Sequence, residues 1–419
     1  MPQTVHFNVA EHVVPACHIR EYPGLTAREQ EDVLHLHVKQ YTPRNAPATP
    51  DKYAVTLIAM HGNGFPKELY EPLWDALYQQ SETHAFSIRG IWIADMAPQG
   101  MSGVLNERKI SNDNSWMDHS RDMLLMVNHF RHLMPRPLVG VGHSCGGLQI
   151  LFTSIIFLDP GFLIVRPGTK IPTEVPMVIR SLTYRKDIWP NRAAAARFVK
   201  KSCPDWDQRA MDLMVQYGFR DLPTALFPEL PSNANASDPP VTLVTTVTQS
   251  VLTHARPCFD AKDAGGRVVV KNRETHADLD PEARFPLYRP ETQPAVARLP
   301  ALRPSALFVL GAHTEPPRWR ESMRAAAREA GTGVGGSGGM AEGRVLEVMI
   351  NGGHLFPFTA VKETGRVCAQ WLGLEMDRYR DREKSWESER STMAERDHMV
   401  LPAKWTEVVR HPKDTSSKL

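Results

Sequence analysis

The feature that most constrains this chain is a glycine-rich hexapeptide, Gly142-His143-Ser144-Cys145-Gly146-Gly147, directly after a short apolar run at Leu138–Val141. The apolar run predicts a buried strand, and G-x-S-x-G after a strand is typical of a sharp turn that presents a nucleophilic serine. Small residues flank the serine because the tight turn leaves no room for larger side chains. We therefore predict that Ser144 is a nucleophile at the end of a buried strand.

Strand-like and helix-like segments alternate through the first 160 residues. Amphipathic spacing predicts helices over 67–80 and Trp116–Leu133. Such alternation indicates a mainly parallel sheet with crossover helices. Combined with the serine turn, it predicts the α/β-hydrolase fold, an α/β class. The predicted strands of this part are Val33–Tyr41, Tyr53–Met60, Ser87–Ala94, Leu138–Val141 and Ile155–Leu158.

The alternation of strand-like and helix-like segments stops after residue 160 and resumes near residue 300. The middle segment is rich in Pro, Arg and short helix-like pieces, which favours an insertion over the carboxyl edge of the sheet. Apolar runs then predict strands at Ala306–Leu310 and Arg344–Ile350. We expect four parts: 1–160 as the N-terminal part of the core, 161–300 as a cap, 301–380 as the C-terminal part of the core, and 381–419 as a charged tail.

His354 is the predicted catalytic base. A serine hydroxyl is a weak nucleophile until a base takes its proton. In this fold an acid and then a histidine follow the serine along the chain. His354 lies in the loop Asn351-Gly352-Gly353-His354-Leu355-Phe356-Pro357, just after the last predicted strand, where an imidazole can reach the serine turn.

Two carboxylates are candidates for the acid that orients this imidazole. Asp159 ends the predicted strand after the serine turn, and Glu315 follows the later strand Ala306–Leu310. Either one can hold the histidine tautomer and stabilise the imidazolium. Position along the chain leaves both open.

Two backbone N–H groups are expected to form an oxyanion hole. One belongs to Cys145, the residue after the nucleophile, and the other to the turn His61-Gly62-Asn63-Gly64, where Asn63 is the predicted donor. The Cys145 side chain is expected to point away from the serine hydroxyl. We therefore do not assign catalysis to this thiol.

Composition excludes several classes of function. The formal net charge is +2 for 419 residues, so no strong global field attracts nucleic acid. No apolar stretch reaches the roughly 18–20 residues that span a bilayer. The five cysteines show no metal-ligand spacing, and His276, Asp278 and Asp280 are interpreted as a polar loop. We expect no metal and no cofactor.

The final tripeptide Ser417-Lys418-Leu419 matches the signal that the peroxisomal import receptor recognises. It follows a polar stretch, which favours an accessible tail. The expected location is therefore the peroxisome, and the import receptor is an expected partner.

Four longer stretches of the chain carry a family resemblance. They are Glu11-His12-Val13-Val14-Pro15, His18-Ile19-Arg20-Glu21-Tyr22-Pro23-Gly24, Phe65-Pro66-Lys67-Glu68-Leu69-Tyr70-Glu71-Pro72-Leu73-Trp74 and Ser115-Trp116-Met117-Asp118-His119. These stretches resemble the fungal peroxisomal α/β-hydrolases of secondary metabolism, a group with the abhydrolase proteins of the Alternaria AK- and AF-toxin clusters and the mycophenolic acid acyl-coenzyme A hydrolase. The resemblance implies hydrolysis of an acyl-coenzyme A or an ester in toxin or polyketide biosynthesis. It also implies Asp159 as the acid, beside Ser144 and His354.

The chain departs from the family pattern in one place. Asp159 follows Ser144 by only 15 positions, which removes most of the helix expected after the serine turn. A parallel crossover usually takes a dozen or more residues. A distorted serine turn is therefore a second expectation.

The leading predicted function is that of a thioesterase or esterase. The alternatives are an impaired hydrolase fold that only binds ligands and an acyltransferase that uses the same triad.

Overall fold

A computed structural model describes residues 4–47, 49, 51–149, 154–162, 175–230, 234–235, 237–259, 263–265, 269–270, 273–279 and 286–409. The chain divides into two compact units, Met1–Gly373 and Leu374–Leu419. The tripeptide Ser417-Lys418-Leu419 lies outside the described residues. A bilayer-spanning helix is absent from the described part of the chain.

The strands of the described ranges fall into one large sheet and two small ones. In chain order the strands are β1 (Phe7–Pro15), β2 (His35–Pro43), β3 (Val55–Met60), β4 (Ile88–Ala94), β5 (Leu138–His143), β6 (Ser154–Leu158), β7 (Ile188–Trp189), β8 (Phe219–Asp221), β9 (Val241–Leu243), β10 (Arg256–Pro257), β11 (Leu287–Tyr288), β12 (Ser305–Gly311) and β13 (Val345–Ile350). The large sheet has eight of these strands, in the order β1-β2-β4-β3-β5-β6-β12-β13.

The large sheet is mainly parallel, as the alternating pattern predicted. Only β1 and β2 run antiparallel to their neighbours, and the strands from β4 to β13 pair in parallel. Strands β3, β6 and β12 are buried along their whole length. This burial is typical of parallel strands that have helices on both faces of the sheet.

The α-helices of the described ranges alternate with the strands of the large sheet along the chain and supply most of the segment after β6. In chain order they are α1 (Glu71–Ser81), α2 (Gly100–Leu105), α3 (Trp116–His129), α4 (Met177–Thr183), α5 (Arg192–Ser202), α6 (Gln208–Tyr217), α7 (Val247–His254), α8 (Arg273–His276), α9 (Thr292–Arg298), α10 (Pro317–Glu329), α11 (Phe356–Thr359), α12 (Val361–Ser391) and α13 (Ala403–Val408).

Helix α1 begins later than the apolar spacing predicted. A 3₁₀ turn occupies Lys67–Tyr70, and the α-helix starts at Glu71. Pro72 explains the difference, because proline lacks the N–H that an interior helical position donates and is tolerated only in the first turn. Helix α3 starts where predicted, since Ser115 and Asp118 form a capping box.

Strand β1 and helix α2 were not predicted. In β1, buried and exposed residues do not alternate regularly. It pairs antiparallel with β2 at the edge of the sheet, where one side has no neighbouring strand. An edge strand tolerates polar residues such as Glu11 and His12, and the apolar period is therefore lost.

Candidate active site

The carboxyl ends of the parallel strands meet at one edge of the large sheet. His143, the last residue of β5, pairs in register with Leu158, the last residue of β6. The next residues, Ser144 and Asp159, therefore leave the sheet side by side. His354 follows β13, which reaches the same edge two strands further along.

Ser144 has a backbone φ of +56°, a left-handed conformation that is costly for a residue with a side chain. In the described ranges, the other non-glycine residues with positive φ are Ala85 and Asp159. Two of these three strained residues thus belong to the predicted triad. Strain of this kind clusters at functional sites, where the surrounding structure enforces it.

Three side chains form a continuous hydrogen-bonded path at this edge. The Ser144 Oγ lies 3.0 Å from His354 Nε2. On the other side of the ring, His354 Nδ1 lies 2.7 Å from Asp159 Oδ2. Asp159 is fully buried, whereas the His354 side chain is 32% exposed. This arrangement keeps one ring nitrogen on the carboxylate and leaves the other for the serine hydroxyl.

Further hydrogen bonds hold the Asp159 carboxylate in place. The Gly311 N–H donates to Oδ1 at 2.8 Å, and the Thr314 hydroxyl donates to Oδ2 at 2.9 Å. Glu315, the other candidate acid, is solvent-exposed. In the part of the chain that the structure describes, no hydrogen bond or ion pair links Glu315 to His354. Asp159 is therefore the candidate acid that contacts the imidazole.

The turn after β3 is held from two sides. The Asn63 amide Nδ2 donates to the Ser250 carbonyl at 2.8 Å, and Gln99 Nε2 donates to Asn63 Oδ1 at 2.7 Å. The Gly64 N–H donates to Gln99 Oε1 at 2.8 Å. Gly64 has a φ of +79°, which glycine adopts without strain. These contacts fix the backbone that carries the predicted oxyanion donor Asn63.

The Cys145 thiol is buried beside the serine turn. It packs against Met96 and Trp116, and its Sγ lies 4.0 Å from the His61 carbonyl. Burial raises the pKa of this thiol to about 12, although the backbone N–H of Asn63 acts in the opposite direction. The thiol is therefore protonated at neutral pH, which is unlike a nucleophilic cysteine.

Two residues of the site were missed by the sequence analysis as functional residues. The Tyr70 hydroxyl lies 2.7 Å from His143 Nδ1 and accepts from the Gly62 N–H at 2.8 Å. His143 Nε2 lies 3.0 Å from the carbonyl of His354. The position of His143 inside the serine motif was the available signal. Nothing local in the sequence pairs it with Tyr70.

Among the described residues between Ser144 and β6, the helix that the family pattern has after the serine turn is replaced by a shorter one. A six-residue 3₁₀ helix, Ser144–Gln149, follows β5, and β6 begins at Ser154. Gly146 allows the close approach of this turn to β3, since a Cβ there would lie 2.5 Å from the Met60 carbonyl oxygen. The expected distortion is not seen in the distances from Ser144 to His354 and from His354 to Asp159.

The described ranges contain no group of three or more His, Cys, Asp or Glu side chains arranged to hold a metal ion. His276 contacts the Pro257 carbonyl, and Asp278 accepts hydrogen bonds from Tyr22 and Tyr288. Asp280 lies outside the described residues. The described members of this polar loop therefore have protein partners.

Comparisons with known proteins show the family to which this chain belongs. The sequence profile of the alpha/beta hydrolase family matches residues 57–367. The Type I acyl-CoA thioesterase mpaH′ of Penicillium brevicompactum is 44% identical over 97% of this chain and 96% of that protein. An abhydrolase domain-containing protein of Alternaria alternata is 29% identical over 30% of this chain and 47% of that protein. The expected resemblance is confirmed, and it extends much further for the thioesterase.

Among solved structures, the peroxisomal alpha-beta-hydrolase Lpx1 of Saccharomyces cerevisiae has the same fold. It aligns with 93% of this chain and 99% of its own, with a TM-score of 0.61 and 16% identity. The predicted fold is thereby confirmed. Because the family profile matches residues 57–367, the thioesterase relative is similar over nearly its full length and the large sheet is mainly parallel, this chain belongs to the alpha/beta hydrolase family.

Proposed function

We propose that this protein is a serine hydrolase that cleaves the thioester of an acyl-coenzyme A in fungal toxin or other secondary-metabolite biosynthesis. The observation that carries the proposal is the path from the Ser144 hydroxyl through His354 to the buried Asp159 carboxylate, with contacts of 3.0 and 2.7 Å. The nearly full-length similarity to a named acyl-CoA thioesterase supports the choice of a thioester over an oxygen ester.

In the first half of the proposed reaction, Ser144 Oγ attacks the thioester carbonyl while His354 Nε2 takes the hydroxyl proton. Asp159 accepts from the Nδ1–H and stabilises the imidazolium. The N–H groups of Cys145 and Asn63 are the proposed donors to the oxyanion. When the C–S bond breaks, the leaving thiolate takes the proton from His354, and the acyl group remains on Ser144.

In the second half, His354 takes a proton from a water molecule that attacks the acyl-enzyme. The C–O bond to Ser144 then breaks, the proton returns to the serine oxygen, and a carboxylic acid leaves. An acyltransferase would use an alcohol or amine instead of water at this step. Product analysis with and without such an acceptor distinguishes the two reactions.

The segment 161–300 is the proposed cap that selects the acyl chain. Helix α7 supports this role, because it contacts the oxyanion turn through the hydrogen bond from Asn63 to Ser250. One turn later, the Thr253 hydroxyl accepts from Gln99 at 2.8 Å. Helix α7 therefore lies against the turn that borders the proposed site.

The short segment after Ser144 favours a second candidate, an impaired hydrolase fold that binds acyl ligands without turnover. The α-helix that usually starts at the nucleophile places its N-terminal N–H groups near the oxyanion. Here a six-residue 3₁₀ helix replaces it. Covalent labelling by a fluorophosphonate separates this candidate from an active hydrolase.

The decisive experiment is release of free thiol from a panel of acyl-coenzyme A substrates by the wild type and the Ser144→Ala variant. We expect turnover by the wild type and a loss of at least about 10⁴-fold in the variant, because the nucleophile is removed. Unlabelled Ser144 together with no turnover by the folded wild type would favour the impaired fold.

We further propose that the protein acts in the peroxisome, with Ser417-Lys418-Leu419 as its import signal. A fluorescent protein fused ahead of residues 381–419 is expected to enter peroxisomes. The same fusion without the three terminal residues is expected to stay outside. Equal distribution of the two fusions would contradict the proposal.

A further inference from the structure

A single hydrogen-bonded bridge connects the oxyanion turn to the loop of the catalytic base. It starts at the Gly62 N–H, which donates to Tyr70 Oη at 2.8 Å. It continues from Tyr70 Oη to His143 Nδ1 over 2.7 Å and from His143 Nε2 to the His354 carbonyl over 3.0 Å. The bridge therefore passes through the residue directly before the nucleophile.

The two ends of the bridge set the direction of every hydrogen bond in it. A backbone N–H only donates and a carbonyl oxygen only accepts. Because the His354 carbonyl must accept from Nε2, Nδ1 of a neutral His143 is left as an acceptor, and the Tyr70 hydroxyl donates its proton to it. His143 therefore carries its proton on Nε2 and donates it to the His354 carbonyl. A neutral His143 in this one tautomer satisfies all four groups.

The surroundings keep the bridge dry and His143 neutral. Phe358 packs edge-on against both Tyr70 and His143, with ring centroids 5.1 and 5.7 Å away, and Phe65 stacks on His143 at 6.5 Å. Burial, followed by the nearby His354, lowers the pKa of His143 to about 3. Hydrogen bonds are stronger in such a low-dielectric site, and unpaired polar groups are more costly.

We propose that Tyr70 and His143 are positioning residues that hold the oxyanion turn and the His354 loop at their working separation around Ser144. The inference rests on the proposed function. Neither side chain is assigned a contact with the substrate. Their effect acts through the backbone of Gly62, which precedes the proposed donor Asn63, and through the backbone of His354. A misplacement of about 1 Å at such groups can cost about 100-fold in rate.

Tyr70→Phe removes only the hydroxyl from the bridge and is the first test. We expect kcat for acyl-coenzyme A hydrolysis to fall by about 10- to 100-fold while KM stays within about threefold, because geometry is lost and ground-state contacts are kept. The rate of Ser144 labelling by a fluorophosphonate should fall in parallel. Tyr41→Phe is the matched control, since that buried hydroxyl bonds to Glu71 at 3.0 Å and not to the site.

His143→Gln is the second variant, and it tests the same bridge if the Tyr70→Phe variant does not fold. Its amide nitrogen can take the place of Nε2 and donate to the His354 carbonyl. Both polar atoms of glutamine are bonded to Cδ, however, so no acceptor stands at the position of Nδ1 for the Tyr70 hydroxyl. We expect the same loss of kcat at unchanged KM. A kcat within about twofold of wild type in either folded variant overturns the proposal. A loss no larger than that of Tyr41→Phe, or a change in KM alone, also overturns it.

Labelling separates failure of this inference from failure of the proposed substrate. If the wild type is labelled at Ser144 but hydrolyses no acyl-coenzyme A, the substrate proposal is wrong, and the labelling rates of the variants still test the bridge. If the folded wild type is not labelled at all, the triad proposal fails and the positioning role fails with it.

Discussion

Asp159 and Glu315 show how the environment of a carboxylate decides what it can do. Asp159 is buried and accepts from Gly311, Thr314 and the proposed base His354. Glu315 is exposed to solvent. A carboxylate with fixed partners can hold one histidine tautomer, whereas an exposed one moves freely and is screened by water.

Asp159→Asn is therefore expected to lower kcat by about 10⁴-fold, because an amide nitrogen facing Nδ1 favours the wrong tautomer. Glu315→Gln is the matched control and should keep kcat within about twofold. Steady-state thiol release from one acyl-coenzyme A measures both variants. An Asp159→Asn variant with more than a tenth of the wild-type kcat would contradict the assigned role.

At the scale of elements, the connection from β5 to β6 is the unusual part of the molecule. Its backbone approaches two neighbouring segments closely. A Cβ on Gly146 would lie 2.5 Å from the Met60 carbonyl oxygen, and one on Gly147 would lie 2.8 Å from Pro160 Cβ. The turn after Ser144 thus packs tightly between the end of β3 and the residues that follow β6. This packing stabilises the left-handed backbone of Ser144, which is followed by the six-residue 3₁₀ helix.

Gly146→Ala is expected to destabilise the protein by about 2–3 kcal/mol, because the added methyl group has to displace the backbone of β3. The shift should also move Ser144 Oγ away from His354 and abolish fluorophosphonate labelling. Gly265→Ala is the control, since the contact that a Cβ there makes with the described residues is with the Asp263 carboxylate, at an ordinary 3.4 Å. Urea unfolding measures stability, and equal midpoints for the two variants would refute the close-packing argument.

At the scale of the whole molecule, a buried network of charges joins β2, the 3₁₀ turn before α1, and the end of β4. Lys67 lies 2.6 Å from Asp95 and 3.1 Å from Glu68. Lys39 lies 3.3 Å from Glu68 but 3.7 Å from Glu71. Among these three carboxylates, Glu71 is therefore the one that lies farthest from a lysine ammonium group. Burial raises its pKa to about 7, against the opposing effect of Lys39.

The raised pKa of Glu71 predicts a pH dependence of stability. The folded protein keeps a proton that the unfolded chain releases near pH 4.5. The free energy of unfolding is therefore not reduced by Glu71 below about pH 4.5. It falls as the pH rises from there to about 7, because the folded protein then has to bury the charged carboxylate. Glu71→Gln should remove this dependence and gain on the order of 3 kcal/mol relative to wild type between pH 5 and 8.

Unfolding free energies from urea titrations at several pH values measure this difference. Glu315→Gln serves as the control for the same substitution at an exposed position outside the buried network, where the change in stability should be small. A pH-independent difference between Glu71→Gln and wild type would contradict the burial argument.

The strands that could be predicted from the sequence are those marked by the residues of the strand itself. The strands β3, β4, β5 and β12 were predicted within a few residues, since a continuous apolar run marks a strand that is buried on both faces. Strand β1 was missed because an edge strand has no such run. The small strands after β6 were missed because two or three residues are too few to show a period.

The sequence by itself predicted the α/β class, the serine turn with Ser144 and the place of His354 after the last strand, because apolar periodicity and small residues at a tight turn are local properties. Position along the chain left Asp159 and Glu315 open as the acid. The tertiary structure alone decided which carboxylate meets His354 and that Tyr70 meets His143. Those contacts join residues 195 and 73 positions apart. They depend on which strand ends are neighbours at one edge of the sheet, and strand order is set by packing of the whole chain.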